Sequence, residues 1–237
     1  MECVPCLCRC VDARSRRCLI VKKRFVLKIS GELLWYRESL ERLIDKVVEL
    51  SKYVYFVLVP GGSVFADLVR ELQSELGLSD FVAHWMAIKS MEVYGVYVAS
   101  LHDALVSVSS LWEVSKVWSV KKVPVLLPYE VLKRHGGELP CSWSVTSDSL
   151  AVYIGYLLHV DSVLLSKVVD GIVDERGNLL HVIKVSEFSG KIDVVDEYVP
   201  KLVSELKVPT VVFNGLKPWL LNHLIRGEEG SYTILLP

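Results

Sequence analysis

Four short segments combine basic, acidic, small and hydroxyl-bearing residues in ways that suit the handling of phosphate. The first is Lys28-Ile29-Ser30-Gly31-Glu32. Lys28 stands late in an apolar run between Leu27 and Ile29, so a strand there sends its ammonium to the opposite pleat, toward a cleft at the strand end. Gly31 lets backbone N–H groups approach an anion closely; an ordinary lysine at a strand edge is the alternative. The second segment is Pro60-Gly61-Gly62-Ser63, with Asp67 and Arg70 in the run that follows. Two glycines opening a helix build an anion cradle from backbone donors and the helix dipole, or form no more than a tight turn. Arg70 could grip an acceptor phosphate with two donors, or lie salt-bridged on the surface. The third segment, Ser142-Trp143-Ser144-Val145-Thr146-Ser147-Asp148-Ser149, is dense in hydroxyls. Asp148 could orient a lysine ammonium or hold Mg²⁺ through water, while Thr146, Ser147 and Asp148 equally suit a helix N-cap. The fourth, Ser166-Lys167-Val168-Val169-Asp170-Gly171, reads as a nucleotide-contacting loop or as a β-turn around Asp170-Gly171.

These segments need strands and helices to place them. Apolar runs predict strands at 24–30, 53–59, 123–127, 162–166, 210–213 and 232–236. Apolar residues at helical spacing, such as Leu40, Leu43, Ile44, Val47 and Val48, predict helices between them. Val64, Phe65, Leu68, Val69 and Leu72 form one face of a second helix that Gly77 ends. Further helices are expected at 80–101, 149–159, 197–206 and 216–225. The stretch 80–101, with Trp85, Met86, Tyr94 and Tyr97, reads as a buried core helix or as a subunit interface. Strands alternating with helices argue for an α/β fold with a mostly parallel sheet covered on both faces. In such sheets ligands collect beyond the carboxyl ends of the strands, where all four segments fall. One domain is expected over residues 24–237, with an acceptor lobe at about 24–140 and a nucleotide lobe at about 141–237.

Bulk properties exclude several classes. The chain has 237 residues, 51% of them hydrophobic, a net charge of −1 and a pI near 6.6. That balance argues against nucleic acid or an anionic membrane as partner. No stretch approaches the roughly 18–20 apolar residues of a membrane span. Arg9, Arg14, Arg16 and Arg17 are followed by no apolar core, so no secretory signal is expected and the cytoplasm is the default location. Cys3, Cys6, Cys8, Cys10 and Cys18 crowd the head of the chain, leaving only Cys141 beyond. Close thiolates can surround zinc, but this spacing lacks paired C-x2-C knuckles. Residues 1–23 are therefore expected to be a disordered appendage. The six histidines are scattered without ligand spacing, and no metal-ligating residue is assigned.

In order and spacing the segments resemble the amino-acid kinase superfamily, which includes acetylglutamate kinase, uridylate kinase, aspartokinase and isopentenyl phosphate kinase. VLKISGELL is similar to its first glycine loop, VLVPGGSVFADLVRE to its second, SWSVTSDSLAVYIGYLL to its aspartate segment and LLSKVVDGIVDERGNLL to its nucleotide loop. VVFNGLKPWLLNHLIRGEEGSYTILL resembles its closing portion. The resemblance spans 24–237 and implies a three-layer α/β/α sandwich, the carbamate kinase-like fold. It implies a kinase that uses ATP and Mg²⁺ and acts, in the cell, as a homo-oligomer on a small phosphorylated metabolite. By the same resemblance Lys28 neutralises the transferring phosphoryl group and Asp148 positions the lysines. Ser30, Gly31, Ser166, Lys167, Asp170 and Gly171 would face the nucleotide; Gly61, Gly62, Ser63, Arg70 and Ser147 would face the acceptor. Lys201, in VPKLVSEL, resembles a second catalytic lysine or is a solvated helix lysine. The combination SW-x-x-TSDSL-x-x-YIG, AIK-x-M, VDE and VVFNG resembles an archaeal branch whose acceptor is aminomethylfuran-methanol phosphate. Three features depart from the superfamily pattern. Ser63 stands where many members have a third glycine, and Val168 replaces an acidic or polar residue. No histidine follows Gly62 before Asp67, which argues against the isoprenoid branch. The competing expectations are a nucleotide- or oxyanion-binding storage or regulatory protein on the same fold, or a kinase of a different acceptor, a nucleoside monophosphate or a carboxylate.

Overall fold

The computed structural model describes residues 22–188, 190 and 192–237. The five clustered cysteines and residues 1–21 of the expected appendage lie outside the described residues, while Lys23 at its end accepts from Tyr55 N–H at 2.8 Å and so belongs to the fold. Eight strands follow in chain order: β1 (Arg24–Ile29), β2 (Tyr55–Pro60), β3 (Leu105–Val108), β4 (Val123–Leu126), β5 (Ser162–Lys167), β6 (Val182–Lys184), β7 (Thr210–Asn214) and β8 (Tyr232–Leu236). They form one sheet in the order β3-β4-β2-β1-β5-β7-β8-β6. Every neighbouring pair is parallel except β7–β8. The helices are α1 (Arg37–Leu50), α2 (Ser63–Leu76), α3 (Asp80–Ser100), α4 (Leu111–Ser119), α5 (Tyr129–His135), α6 (Ser147–Leu157), α7 (Val199–Leu206) and α8 (Leu220–Arg226). Among the described residues no helix is long and apolar enough to cross a membrane.

Two cores flank the sheet, which makes the three layers. Val26, Val57, Val163, Leu165 and Val212 face a core completed by residues such as Ile88 of α3, Leu150 and Ile154 of α6 and Leu202 of α7. Leu27, Ile29, Leu58, Leu164 and Phe213 face the other core, filled by Leu40, Leu43 and Ile44 of α1 and Leu220 and Leu221 of α8. Burial on both faces explains why these strands read as continuous apolar runs rather than alternating ones. The pleat has a further consequence. Lys28 shares its face with Val26, and Lys167 shares its face with Val163 and Leu165. Both lysines therefore leave their strands on the α6 side.

Helix ends follow the sequence chemistry where it is local. Gly77 closes α2 in the left-handed region at φ 63°. Helix α3 buries Ala83, Ile88, Met91, Tyr94 and Val98, while Phe81, Val82, Val93 and Val96 remain exposed on its outer side. Four elements went unread in the sequence: β3, α4, α5 and β6. Strands β3 and β6 are only four and three residues long with exposed positions. Helix α4 did carry a signal, since Ser110 and Glu113 make a capping box: the Ser110 hydroxyl accepts from Glu113 N–H, and the Glu113 carboxylate accepts from that hydroxyl and from Ser109 N–H.

Candidate active site

A cleft of about 560 Å³ opens beyond the carboxyl ends of β1, β2 and β5. On its floor Asp148, the second residue of α6, lies between two lysines. Lys28 Nζ is 2.9 Å from Asp148 Oδ1 and Lys167 Nζ is 2.5 Å from Oδ2. The Lys28 and Asp148 side chains are 5% and 4% exposed, so neither charge can be left to water. Burial alone would push the Asp148 carboxyl up, but the two ammonium groups outweigh it and hold the group below its ordinary value. For Lys28 burial wins: its ammonium is pushed below the ordinary lysine value, with Lys167 adding to the effect and Asp148 opposing it. Two cations around one anion leave a net positive charge, which suits a phosphate.

The first two glycine-bearing loops meet above this cluster. A Cβ on Gly31 would lie 2.4 Å from Ser63 Cα and N, so only glycine permits the approach. The Ser63 hydroxyl donates to Gly31 O at 2.9 Å and fastens the two loops together. Gly31, Gly62 and Ser63 line the cleft. Gly61 does not: it is buried, and its N–H donates to Ile29 O at 2.8 Å, so the expected ligand donor is engaged within the backbone. Helix α2 starts without a side-chain cap on Gly62 and without an acid in its first turn. The first N–H groups of a helix have no partner within it, and Gly62, Ser63, Val64 and Ala66 at this start line the cleft.

On another wall of the cleft the Arg70 guanidinium sits 4.4 Å from the centroid of the Trp143 ring. Trp143 Nε1 donates to Gln73 Oε1 at 2.5 Å, and Gln73 Nε2 donates to Asp80 Oδ1 at 2.7 Å. This chain of contacts ties the 142–149 segment to α2 and α3. Ser147, Asp67 and His84 line the same wall. His84 is pushed below its ordinary value by burial, which favours a neutral ring at pH 7.

Several sequence-marked residues take other places. Ser166 is fully buried; its hydroxyl donates to Lys28 O at 2.7 Å and accepts from Ser30 N–H at 3.2 Å. It braces β5 against the turn after β1 and does not line the cleft. Ser30 does line it, with its carbonyl accepting from Tyr94 OH at 3.2 Å. Asp170 and Gly171 lie outside the cleft lining, and Val168 and Val169 line it instead. Asp170 accepts from Lys217 Nζ at 2.7 and 2.8 Å and from Asn214 Nδ2 at 2.9 Å; these bonds hold its carboxyl below the usual range. Lys201 is not brought to the cluster. It is about half exposed on α7, bonded to Tyr198 OH at 3.1 Å and 4.0 Å from Glu205. The lysine that completes the cluster is Lys167, which the pleat of β5 turns toward Asp148.

One residue of the site was not singled out in the sequence. Asp196 accepts hydrogen bonds at the starts of both α6 and α7, from residues as far as 50 positions away. Thr146 is the N-cap of α6 but makes no cap bond with its own side chain. The expected local cap is replaced by this remote carboxylate, which the sequence offered only as part of the VDE segment, with nothing to mark it as a cap for α6.

No group of three or more His, Cys, Asp or Glu side chains converges as a metal cage among the described residues. Mg²⁺ needs only one or two carboxylates beside nucleotide phosphates. Asp148 Oδ1 is buried with no hydrogen-bond donor, since Lys28 meets it as an ion pair outside hydrogen-bond geometry. Asp148 lines the cleft beside the two lysines, so it could meet Mg²⁺ carried by nucleotide phosphates through a water.

Residues 23–207 match the model of the Amino acid kinase family. The chain belongs to the amino acid kinase family. As an amino acid kinase it is an ATP-dependent phosphotransferase, and the three-layer fold expected from its sequence is the fold it has. This amino acid kinase is 32% identical over 216 residues to the (5-(aminomethyl)furan-3-yl)methyl phosphate kinase of Methanocaldococcus jannaschii, covering 88% of this chain and 95% of that one. Its fold is similar to that of UMP kinase from Ureaplasma parvum, with a TM-score of 0.71 and 20% identity over 92% of this chain and 100% of the other. Uridylate kinase from Archaeoglobus fulgidus gives a TM-score of 0.70 at 18% identity, covering 89% of this chain and 99% of the other.

Proposed function

We propose that this amino acid kinase transfers the γ-phosphoryl group of ATP to the phosphate of aminomethylfuran-methanol phosphate or a close analogue. The observation that carries the reading is one cleft holding the buried Lys28–Asp148–Lys167 cluster, the uncapped start of α2 and Arg70. An acceptor phosphate oxygen attacks the γ-phosphorus while the bond to the β–γ bridging oxygen breaks, giving ADP and a diphosphate. The attacking oxygen is already anionic, so no protein nucleophile or base is needed. Lys28 and Lys167 neutralise charge on the equatorial oxygens, and Asp148 keeps the two ammonium groups aligned for it. Gly31 and the α2 start orient phosphates through backbone donors. Mg²⁺, held beside Asp148, would add positive charge to the nucleotide phosphates. Arg70 is the reading's grip on the acceptor phosphate. Trp143 offers a flat wall for a furan ring, and Asp67 and Asp80 line the same cleft, where they suit an aminomethyl cation. The likeness to the M. jannaschii enzyme along 88% of the chain supports that acceptor. The exposed apolar side chains shared by α2 and α3, Phe65, Leu68, Phe81 and Val93, support assembly as a homo-oligomer, which light scattering would measure.

Purified protein with ATP and Mg²⁺ would be offered aminomethylfuran-methanol phosphate, UMP and isopentenyl phosphate in parallel. The expected result is ADP and a diphosphate with the highest kcat/KM on the furan compound. Preference for either other acceptor overturns the furan assignment. Binding of ATP without turnover on any acceptor overturns the phosphomonoester reading.

A further inference from the structure

We propose that Asp196 is a positioning residue: from the start of α7 it holds the first turn of α6 where Asp148 stands between Lys28 and Lys167. Its Oδ2 accepts from Thr146 N–H at 2.9 Å, Thr146 Oγ1 at 2.8 Å and Ser149 N–H at 3.0 Å. Its Oδ1 accepts from the Ser149 hydroxyl and from the N–H groups of Tyr198 and Val199, both at 3.2 Å. Thr146 and Ser149 bracket Asp148 in the chain, so the clamp closes on both sides of the residue that organises the lysines.

A local cap would serve the stability of α6 equally well. Thr146 is the right residue type at the N-cap, and its hydroxyl would ordinarily accept from an N–H of the first turn. Instead that hydroxyl donates to Asp196, and the N–H of Ser149 goes to Asp196 as well. A local cap would leave α6 free to shift against α7; the shared carboxylate removes that freedom. One carboxylate also places negative charge at the positive ends of two helices at once. The same charge acts on Lys28, where it favours the ammonium alongside Asp148. The groups that bear on Lys28 are Asp148, Lys167 and Asp196.

The inference rests on phosphoryl transfer at the Lys28–Asp148–Lys167 cluster. Its test is Asp196→Asn in the full chain, read by steady-state kinetics, thermal unfolding and the pH profile. Asparagine offers one acceptor oxygen where aspartate offers two, so one helix start is released. A misplaced cluster should lower kcat by about 10–100-fold, while KM for ATP changes by less than about threefold. The alkaline limb of kcat/KM should move to lower pH as Lys28 loses support for its charge. Unchanged kcat and an unmoved limb, with only a lower Tm, would make Asp196 a structural cap and overturn the inference. If Asp196→Asn does not fold, Thr146→Val removes one donor and should lower kcat by about three- to tenfold; wild-type kcat in that variant overturns it too. A wild-type protein that transfers no phosphoryl group would count against the functional reading instead.

Discussion

Two helix starts border the same cleft, and they are built in opposite ways. Helix α2 begins at Ser63 with no side-chain cap and no acid in its first turn. Helix α6 begins at Ser147 with Asp148 in its first turn and Asp196 closed over its end. A helix N-terminus is a site of partial positive charge with unpaired donors. At α6 the protein fills that site with its own carboxylates and uses one of them to hold two lysines. At α2 it places neither a side-chain cap nor a carboxylate. The pairing teaches that position beside a cleft does not make a helix start an anion seat; what already occupies it does.

The comparison can be broken or sharpened by substitution. The largest effect is expected from Asp148→Asn, which strips the α6 start of its organising charge. Two buried ammonium groups then face each other, and stability should fall by about 3–5 kcal/mol in chemical denaturation. The sign with pH follows from its depressed pKa: Asp148 stabilises the fold above its ordinary range, and that contribution is lost as pH falls through the folded value. The variant should lack this part of the acid dependence. A stability equal to wild type would mean the cluster is not charged as described.

Next in size is Lys28→Ala. Lys167 still pairs with Asp148, so the fold should persist by circular dichroism while kcat drops by about 10²–10³-fold. Full activity would remove Lys28 from the chemistry. In the wild-type protein burial lowers Lys28 from 10.5, so its ammonium is lost earlier as pH rises. The alkaline limb of kcat/KM should accordingly begin below pH 10.5, and a profile flat to that value would contradict the burial argument.

A smaller effect tests α2 directly. Val64→Glu puts a carboxylate into its open first turn. The helix should gain up to about 1 kcal/mol or stay as it is, yet KM for one of the two anionic substrates should rise by about tenfold through repulsion. Unchanged KM values would show that the α2 start does not seat an anion. The smallest effect belongs to Lys201→Ala. With its side chain on the solvent face of α7, kcat should change by less than about twofold and stability by no more than about 0.5 kcal/mol. A large loss of kcat would bring Lys201 back into the site.

What the sequence determined by itself was local. Continuous apolar runs specified β1, β2, β4, β5, β7 and β8, because strands buried on both faces need apolar residues at nearly every position. Gly77 marked the end of α2, and the glycines and hydroxyls after β1, β2 and before α6 marked breaks beside the carboxyl ends of strands. Lys28 and Asp148 could be singled out because each stands at such a break. Tertiary structure decided the rest. Lys167, rather than Lys201, faces Asp148 because of the pleat of β5 and its pairing with β1. Ser166 braces two strands, Gly61 N–H bonds within the backbone, and Asp196 reaches α6 across 47 to 50 residues. Spacing in a chain encodes which neighbours share a face, through periods of two and 3.6 residues. It carries no record of which distant side chain will meet them there, and in this kinase that meeting places the charges.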